Sequence, residues 1–324
     1  QAAGAGTVSG SGNATASSGV ASKTITGQLV GSVTMEATAT GLTTGTLGAF
    51  TVVHGAAAQI QLTGSTADLA AGSTRVLTAT LLDAAGNTVT SDNSTVVAFA
   101  QAAGTGTVGG AGTATASGGI ATKTITGALA GSVTMEAKST GLTTGTLGAF
   151  TVVAGPAAQV ELTGSAADLT SGATRVLTAT IKDAGGNVVT ADNSTVVTFS
   201  QQSGAGTVSG TGSATVSAGV ASRTITGVLA GPVTMAASAT GLTDGTLGFT
   251  VVHGAAAEVV LTGSTANLAS GATRVLTATI RDAAGNTVTS DSSTVVAFAQ
   301  AAGAGTVSGS GNATASSGVA SKTI

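Results

Sequence analysis

Residues 74–89 read TRVLTATLLDAAGNTV, a strand followed by the turn that ends it. Within the strand, Leu77, Ala79 and Leu81 alternate with Thr78 and Thr80. A period of two is typical of a β-strand with one buried face. The sequence DAAGN that follows is rich in residues that favour turns, so this stretch predicts β structure.

The sequence on both sides of this stretch continues the same pattern. The further strands predicted between residues 55 and 154 are 59–62, 94–100, two short segments reading GTV and ATA, 121–126, 132–138 and 150–153. Helical periodicity is absent. About seven short strands with Gly-rich turns between them predict an antiparallel β-sandwich, so the expected fold class is all-β.

An internal repeat sets the domain organisation. Related segments begin at Gln1, Gln101, Gln201 and Gln300, at spacings of 100, 100 and 99 residues. The third spacing is shorter because TLGAFT at 146–151 becomes TLGFT at 246–250. A period this long is typical of a string of separate domains rather than of a solenoid.

The boundaries between domains are predicted at three Gly-containing linkers. The expected segments are 1–54 (C-terminal part of a domain), 55–154 and 155–253 (complete domains) and 254–324 (N-terminal part of a domain). Such short linkers restrict bending and favour an extended linear array. Since residues 1–25 and 300–324 are identical, we expect a window of a longer polypeptide or polymer that repeats every 299 residues. Complementation of half-domains between chains is the alternative, and the duplication argues against it.

The composition excludes several classes of protein. Charged residues make up 7% of the chain, aromatic residues 2%, and cysteine is absent, whereas hydrophobic residues reach 42%. These values exclude a disordered chain and a disulfide scaffold. Polar or glycine residues interrupt every apolar run before the roughly 18 residues of a spanning helix, so no membrane insertion is expected. With no basic cluster and no aromatic platform, no nucleic-acid partner is expected. Two histidines and no cysteine favour no enzymatic activity and no cofactor.

Candidate metal ligands occur at the turn after residue 82. Asp83, Asn87 and Asp92 carry oxygen atoms that could bind calcium. The alternative, which we favour, is a β-turn in which Asp83 accepts hydrogen bonds from the main chain and Gly86 or Asn87 adopts a positive φ. The linker sequence GAAAQ also lacks the carboxylates of a calcium-stiffened linker. We therefore expect no bound metal.

Other polar residues recur at fixed positions. His54 and His253 lie at two linkers and are expected to be solvated, because neither has a metal-binding partner in the sequence. Arg75 is expected either to pair with Asp83 or to be a solvated charge. The chain also contains four Asn-x-Ser/Thr sequences, all in predicted turns, as candidate glycosylation sites: Asn13, Asn93, Asn193 and Asn312.

The low content of charged residues predicts how the surface of this protein interacts with other surfaces. Soluble domains usually carry roughly 25–35% charged residues on their surfaces. An exterior of Thr, Ser, Ala and Gly has few charges to desolvate or repel, which favours lateral packing of this chain against itself. The alternative is that glycans cover this surface.

Three segments resemble a known family. TRVLTATLLDAAGNTV (74–89), STVVAFAQAAGTGTV (94–108) and GGIATKTITGALAGSVTMEA (118–137) resemble the bacterial immunoglobulin-like repeats of invasin- and intimin-type adhesins. The resemblance recurs three times along the chain. It implies tandem immunoglobulin-like domains in a bacterial or archaeal protein that lies outside the cell or on its surface. It also implies that any contact with the cell envelope or a host ligand belongs to regions outside this sequence.

Overall fold

A computed structural model describes residues 1–324, which form strands, turns and loops without any helix. The chain therefore has no helix that could cross a lipid bilayer. Two compact units make it up, Gln1–Gly155 and Pro156–Ile324.

The first unit begins with four strands and continues with a nine-strand sandwich. The four strands are β1 (Thr7–Ser9), β2 (Thr26–Leu29), β3 (Gly31–Ala37) and β4 (Gly45–Val52). The sandwich strands are β5 (Ala57–Thr63), β6 (Leu69–Ala70), β7 (Thr74–Asp83), β8 (Val96–Ala103), β9 (Val108–Gly109), β10 (Gly112–Thr115), β11 (Ile120–Gly127), β12 (Gly131–Lys138) and β13 (Gly145–Val153).

The sandwich has an immunoglobulin topology. One sheet has the order β5-β7-β11-β9, and the other has the order β10-β8-β12-β13-β6. These sheets correspond to the A-B-E-D and C-F-G sheets of immunoglobulin domains. All pairs are antiparallel except β13 with β6. The predicted all-β immunoglobulin-like fold is confirmed.

Alternation along β7 builds one side of the core. Leu77, Ala79 and Leu81 are fully buried, whereas the threonines between them lie on the outer face. They meet Phe99 and Phe150 from the opposite sheet in one hydrophobic cluster. Five of the six phenylalanines that recur at fixed positions are therefore core residues, as predicted, whereas Phe50 in the segment 1–54 is only partly buried.

The second unit repeats this arrangement. Its sandwich consists of β14 (Ala157–Thr163), β15 (Leu169–Thr170), β16 (Thr174–Asp183), β17 (Val196–Ser203), β18 (Val208–Ser209), β19 (Gly212–Thr215), β20 (Val220–Gly227), β21 (Gly231–Ser238) and β22 (Gly245–Val252). The remaining strands are β23 (Ala256–Thr262), β24 (Val275–Asp282), β25 (Val295–Phe298), β26 (Gly311–Thr314) and β27 (Val319–Thr323). The cluster of Ala278, Ile280 and Phe298 forms a separate core there.

Strand β13 is longer than predicted, since it begins at Gly145 rather than at residue 150. The first half of this strand, GTLGA, contains two glycines and a bulge. Its sequence therefore does not show the alternation of buried and exposed side chains from which a strand is predicted. The register between β12 and β13 shifts between Val133 and Met135. The corresponding pair β21–β22 has no shift, so the residue missing from TLGFT is the bulge residue. The two-residue strand β6 also escaped prediction.

Two backbone segments cross closely at a glycine, and this crossing explains why a Gln residue recurs at the same position of each repeat. The Gln101 side chain donates to the Gly106 carbonyl oxygen at 2.7 Å, and the loop between them passes over the start of β12. Gly104 has φ +120°, and a Cβ there would lie 1.9 Å from the Ser132 carbonyl oxygen. Gln201 and Gly204 repeat this arrangement in the second unit.

Candidate functional site: the Asp–Asn turn at the domain joints

The turn after β7 is built around one carboxylate. Asp83 Oδ1 accepts hydrogen bonds from the main-chain N–H groups of Ala85 at 2.9 Å and Asn87 at 2.8 Å. Gly86 adopts φ +88°, as a tight turn requires. Asn87 Nδ2 lies 3.0 Å from Asp83 Oδ2. Asp83 and Asn87 are only 5% and 7% exposed, so this turn is a buried polar cluster.

The same two side chains tie together two domain segments. Asp83 Oδ2 accepts from the linker Gly55 N–H at 2.8 Å. Asn87 Nδ2 donates to the Gln28 carbonyl oxygen at 2.7 Å, and Asn87 Oδ1 accepts from the Val30 N–H at 3.0 Å. We call the place where residues 1–54 meet 55–154 the first joint. The linker sequence GAAAQ contains no carboxylate of its own, but the fold brings Asp83 to Gly55 from 28 positions away.

A second joint, between residues 155–253 and 254–324, has the same chemistry. Asp282 Oδ2 accepts from the Gly254 N–H at 2.7 Å. Asn286 Nδ2 donates to the Val228 carbonyl oxygen at 2.8 Å, and its Oδ1 accepts from the Ala230 N–H at 2.7 Å. Both joints therefore recognise main-chain groups of the preceding segment, and at the second joint Asn286 Nδ2 also donates to the Ser171 hydroxyl at 3.2 Å.

The histidines at the linkers are not simply solvated, contrary to expectation. His253 Nδ1 lies 2.9 Å from the Gly254 carbonyl oxygen, and the Ser290 N–H donates to His253 Nε2 at 3.3 Å. These two contacts place the imidazole between the linker and the loop at Ser290. His54 makes the equivalent contact with Gly55 at 2.9 Å. Both rings are half-buried at their joints.

The hydrogen bonds at the joints lower the pKa values of the two aspartates. Hydrogen bonds from Gly55, the Asn87 side chain and the Asn87 main chain lower the pKa of Asp83 from 3.8 to about 2. For Asp282, burial acts to raise the pKa, but hydrogen bonds from Gly254 and Asn286 outweigh it and lower the pKa to about 2. Each carboxylate is thus stabilised in its ionised form.

Acid should lower the free energy of unfolding over a defined pH range. A carboxyl group whose folded pKa lies below its unfolded pKa stabilises the fold above the unfolded value, and the effect disappears as the pH falls through the folded value. For Asp83 and Asp282 this window runs from pH 3.8 down to about 2. Urea unfolding at steps between pH 6 and pH 2 should show stability level at first and then falling within the window. A constant free energy of unfolding down to pH 2 would contradict these pKa directions.

The candidate calcium ligands do not form one cluster. The Asp83 oxygens are occupied by N–H donors. Asp92 belongs to a different turn, where it accepts from the Ser94 and Thr95 N–H groups and from Thr95 Oγ1 at 2.6 Å. No group of three His, Cys, Asp or Glu residues in the chain is placed to hold a metal ion. A cation at Asp83 would have to displace hydrogen bonds that the protein already makes.

That no metal is bound remains a prediction, and thermal melts with and without calcium test it. The melting temperature should be the same in millimolar CaCl2 as in EDTA, because the Asp83 oxygens already have donors. MgCl2 at matched ionic strength serves as the control. A calcium-specific rise in melting temperature would show that the joint or the Asp92 turn holds the ion.

Arg75 does not pair with Asp83, and it is not simply solvated. Its guanidinium lies over the Phe150 ring, 4.6 Å from the ring centre, and Nη2 donates to the Asp68 carbonyl oxygen at 3.1 Å. Arg175 stacks on Phe249 at the same distance. Burial lowers the pKa of Arg75, and the charge of Asp68 opposes the effect. The arginine therefore covers the open end of the core, a contact that sequence spacing does not reveal.

The candidate glycosylation residues lie in different environments. Asn93 and Asn193 are in turns, where their Oδ1 atoms accept from the N–H groups of Gly118 and Ala218 at 2.8 Å. Asn13 lies in an exposed loop. The prediction of a turn at Asn312 was wrong, because Asn312 lies in β26 opposite Ala297 of β25. Glycosylation remains a prediction at all four.

Comparisons with known proteins agree with the fold. No protein-family model matches the chain, and no curated protein sequence matches it. Among solved structures, the chain is similar to FdeC, an Escherichia coli adhesin, with 23% identity over 84% of this chain and 90% of that chain and a TM-score of 0.40. It is similar to the D00-D0 domain of intimin, with 19% identity over 59% and 98% of the two chains and a TM-score of 0.36.

The likeness is one of fold. The resemblance to intimin-type repeats that the sequence motifs predicted is confirmed at this level. A glycosyl hydrolase family 2 member from Bacteroides cellulosilyticus also matches, with 14% identity over 56% of this chain and 23% of that chain and a TM-score of 0.29. Since a fold does not by itself define a function, function has to be argued from the joints and the surface.

Proposed function

We propose that this chain is a structural segment of a long extracellular or cell-surface fibre that associates with other copies of itself. The repeated joint carries the structural part of the proposal, and the uncharged surface carries the self-association. In each unit an Asp–Asn pair binds the linker and the main chain of the preceding segment. Such a contact favours one geometry between neighbours, which suits a load-bearing array.

The composition of the surface supports self-association. With charged residues at 7% of the chain, the exterior consists largely of small uncharged side chains. Contacts between such surfaces remove few charges from water and immobilise few flexible side chains. The sequence resemblance to adhesin repeats implies the extracellular location.

A second candidate function is the non-binding stalk of an adhesin whose receptor-binding tip lies outside this sequence. The tandem domains and the joints suit a single-chain stalk equally well. The two functions differ in one respect: a stalk works as an isolated chain, whereas a fibre needs contacts between chains.

Electron microscopy of the native material separates these two functions. A regular axial repeat in the power spectrum, with domains of adjacent chains in lateral contact, is the result expected for a self-associating fibre. Isolated beaded strings without helical order would overturn self-association and leave the adhesin stalk.

A further inference from the structure

Two of the four edge strands of the first complete domain, β5 and β10, already make contacts on their outer sides. The outer side of β5 bonds to the segment before β13, since the Ile60 N–H donates to the Thr143 carbonyl oxygen at 3.0 Å and the Thr143 N–H donates to Ala58 at 2.9 Å. At the other sheet, Lys123 Nζ donates to the carbonyl oxygen of Thr113 in the edge strand β10 at 3.3 Å. Occupied edges and edge lysines oppose pairing with a strand of another chain.

The second complete domain protects the same edges with different residues. Val160 N–H and Thr243 make the equivalent of the first contact at 2.8 Å. Arg223 replaces the lysine and donates to the Ser213 carbonyl oxygen of the edge strand β19 at 3.4 Å, and to the carbonyl oxygens of Gly210 at 2.8 Å and Thr211 at 3.1 Å just before that strand. Lateral contact through these two edges is therefore disfavoured in both domains, which favours contact through the sheet faces.

One sheet face is uncharged in its centre in every copy. We call it the threonine face and define it by the outward residues at the centre of the β7–β11 pair and their counterparts: Val76, Thr78, Thr122 and Thr124; Val176, Thr178, Ser222 and Thr224; Val275, Thr277, Ser321 and Thr323. The valines are 55%, 57% and 56% exposed. A large apolar side chain thus stands in solvent at the same point of each repeat.

Charges lie around this face or on the opposite sheet. The Glu161–Lys182 ion pair, 2.6 Å, lies on the β14 side of the face in the second complete domain. In the first complete domain, the ion pair Lys138–Glu136, also 2.6 Å, lies on β12 of the opposite sheet. A charge-free centre has no complementarity to a charged ligand, but it does match another uncharged face.

We infer that the threonine face is the surface through which a second copy of this chain packs, an inference that rests on the proposed self-association. Thr and Val are β-branched and stiff, so they lose little freedom on contact. Two strands about 4.8 Å apart, paired over residues 74–80 and 120–126 at about 3.3 Å per residue, give each face roughly 200 Å². A stable interface buries about 800 Å² per partner, so several faces must act together. Tandem repetition provides them.

Two variants of the full chain, each with three added lysines, test the inference. The face variant carries Thr122→Lys, Ser222→Lys and Ser321→Lys. The matched control carries Thr46→Lys, Thr146→Lys and Thr246→Lys, at exposed positions of β4, β13 and β22 in the opposite sheets. Both variants have the same formal charge, and thermal melts establish that both are folded. Sedimentation equilibrium and light scattering over a concentration series give the association constant.

We expect the parent chain and the control to associate alike, and the face variant to associate at least about tenfold more weakly, because its added lysines would face like charges across the contact. If the parent associates and the two variants are weakened equally, the threonine face is not the interface, although the proposed function stands. If the parent stays monomeric at the highest concentration, the proposed self-association itself fails, and the inference fails with it.

Discussion

Replacing Gly104 by alanine is expected to destabilise the first complete domain by more than about 3 kcal/mol, since backbone strain and a main-chain clash act together. A Cβ at this position would lie 1.9 Å from the Ser132 carbonyl oxygen and 2.9 Å from the Val133 Cα. No side chain can move aside to relieve these contacts, because both atoms belong to the backbone of β12. Urea unfolding monitored by circular dichroism measures the loss.

The Gly112→Ala variant separates the clash from the strain. Gly112 has φ +136°, but the nearest atom to its Cβ would be the flexible end of Lys123 at 3.6 Å. This variant should therefore cost only about 1–2 kcal/mol, the strain of a left-handed residue. If the two variants destabilise the domain equally, the crossing over Ser132 is not the constraint that fixes glycine at 104.

Much of the fold was predictable because it depends on local patterns. The alternation at Leu77, Ala79 and Leu81 gives a strand with one buried face, and the structure buries all three. Two phenylalanines per repeat at fixed phase predicted core residues, as Phe99 and Phe150 are. Strand β13 was only half predicted, because its bulge and glycines break the period of two.

The joints were not predictable, because they depend on contacts between distant residues. Asp83 and Gly55 are 28 positions apart, and Asn87 and Gln28 are 59 apart. The sequence identified Asp83 and Asn87 as a turn, but it did not reveal the groups that lie opposite them. The same holds for Arg75, whose stacking on Phe150 spans 75 positions. The feature of the sequence that could have indicated a joint was the polar Asp–Asn pair, which recurs at the same position of each repeat.

The Asn87→Asp variant should lose about 2–4 kcal/mol of stability at pH 7, because a buried polar cluster loses a donor and gains a like charge. Asn87 Nδ2 now lies 3.0 Å from Asp83 Oδ2 and donates to the Gln28 carbonyl oxygen at 2.7 Å. In the variant, a carboxylate oxygen would replace Asn87 Nδ2 and would lie against two hydrogen-bond acceptors, Asp83 Oδ2 and the Gln28 carbonyl oxygen. The control is Asn93→Asp, the same change at an exposed turn, which should cost less than about 1 kcal/mol.

The pH dependence distinguishes this explanation from a general loss of packing. Two carboxyl groups at this distance share one proton, so the folded pKa of the pair rises above the unfolded value. A raised folded pKa gives stability that is present at low pH and lost as the pH rises through it. Asn87→Asp should therefore regain stability between pH 7 and pH 5, a range over which the parent chain stays level because its Asp83 pKa is about 2. A variant equally destabilised at both pH values would mean that shape, rather than charge and hydrogen bonding, fixes asparagine at this joint.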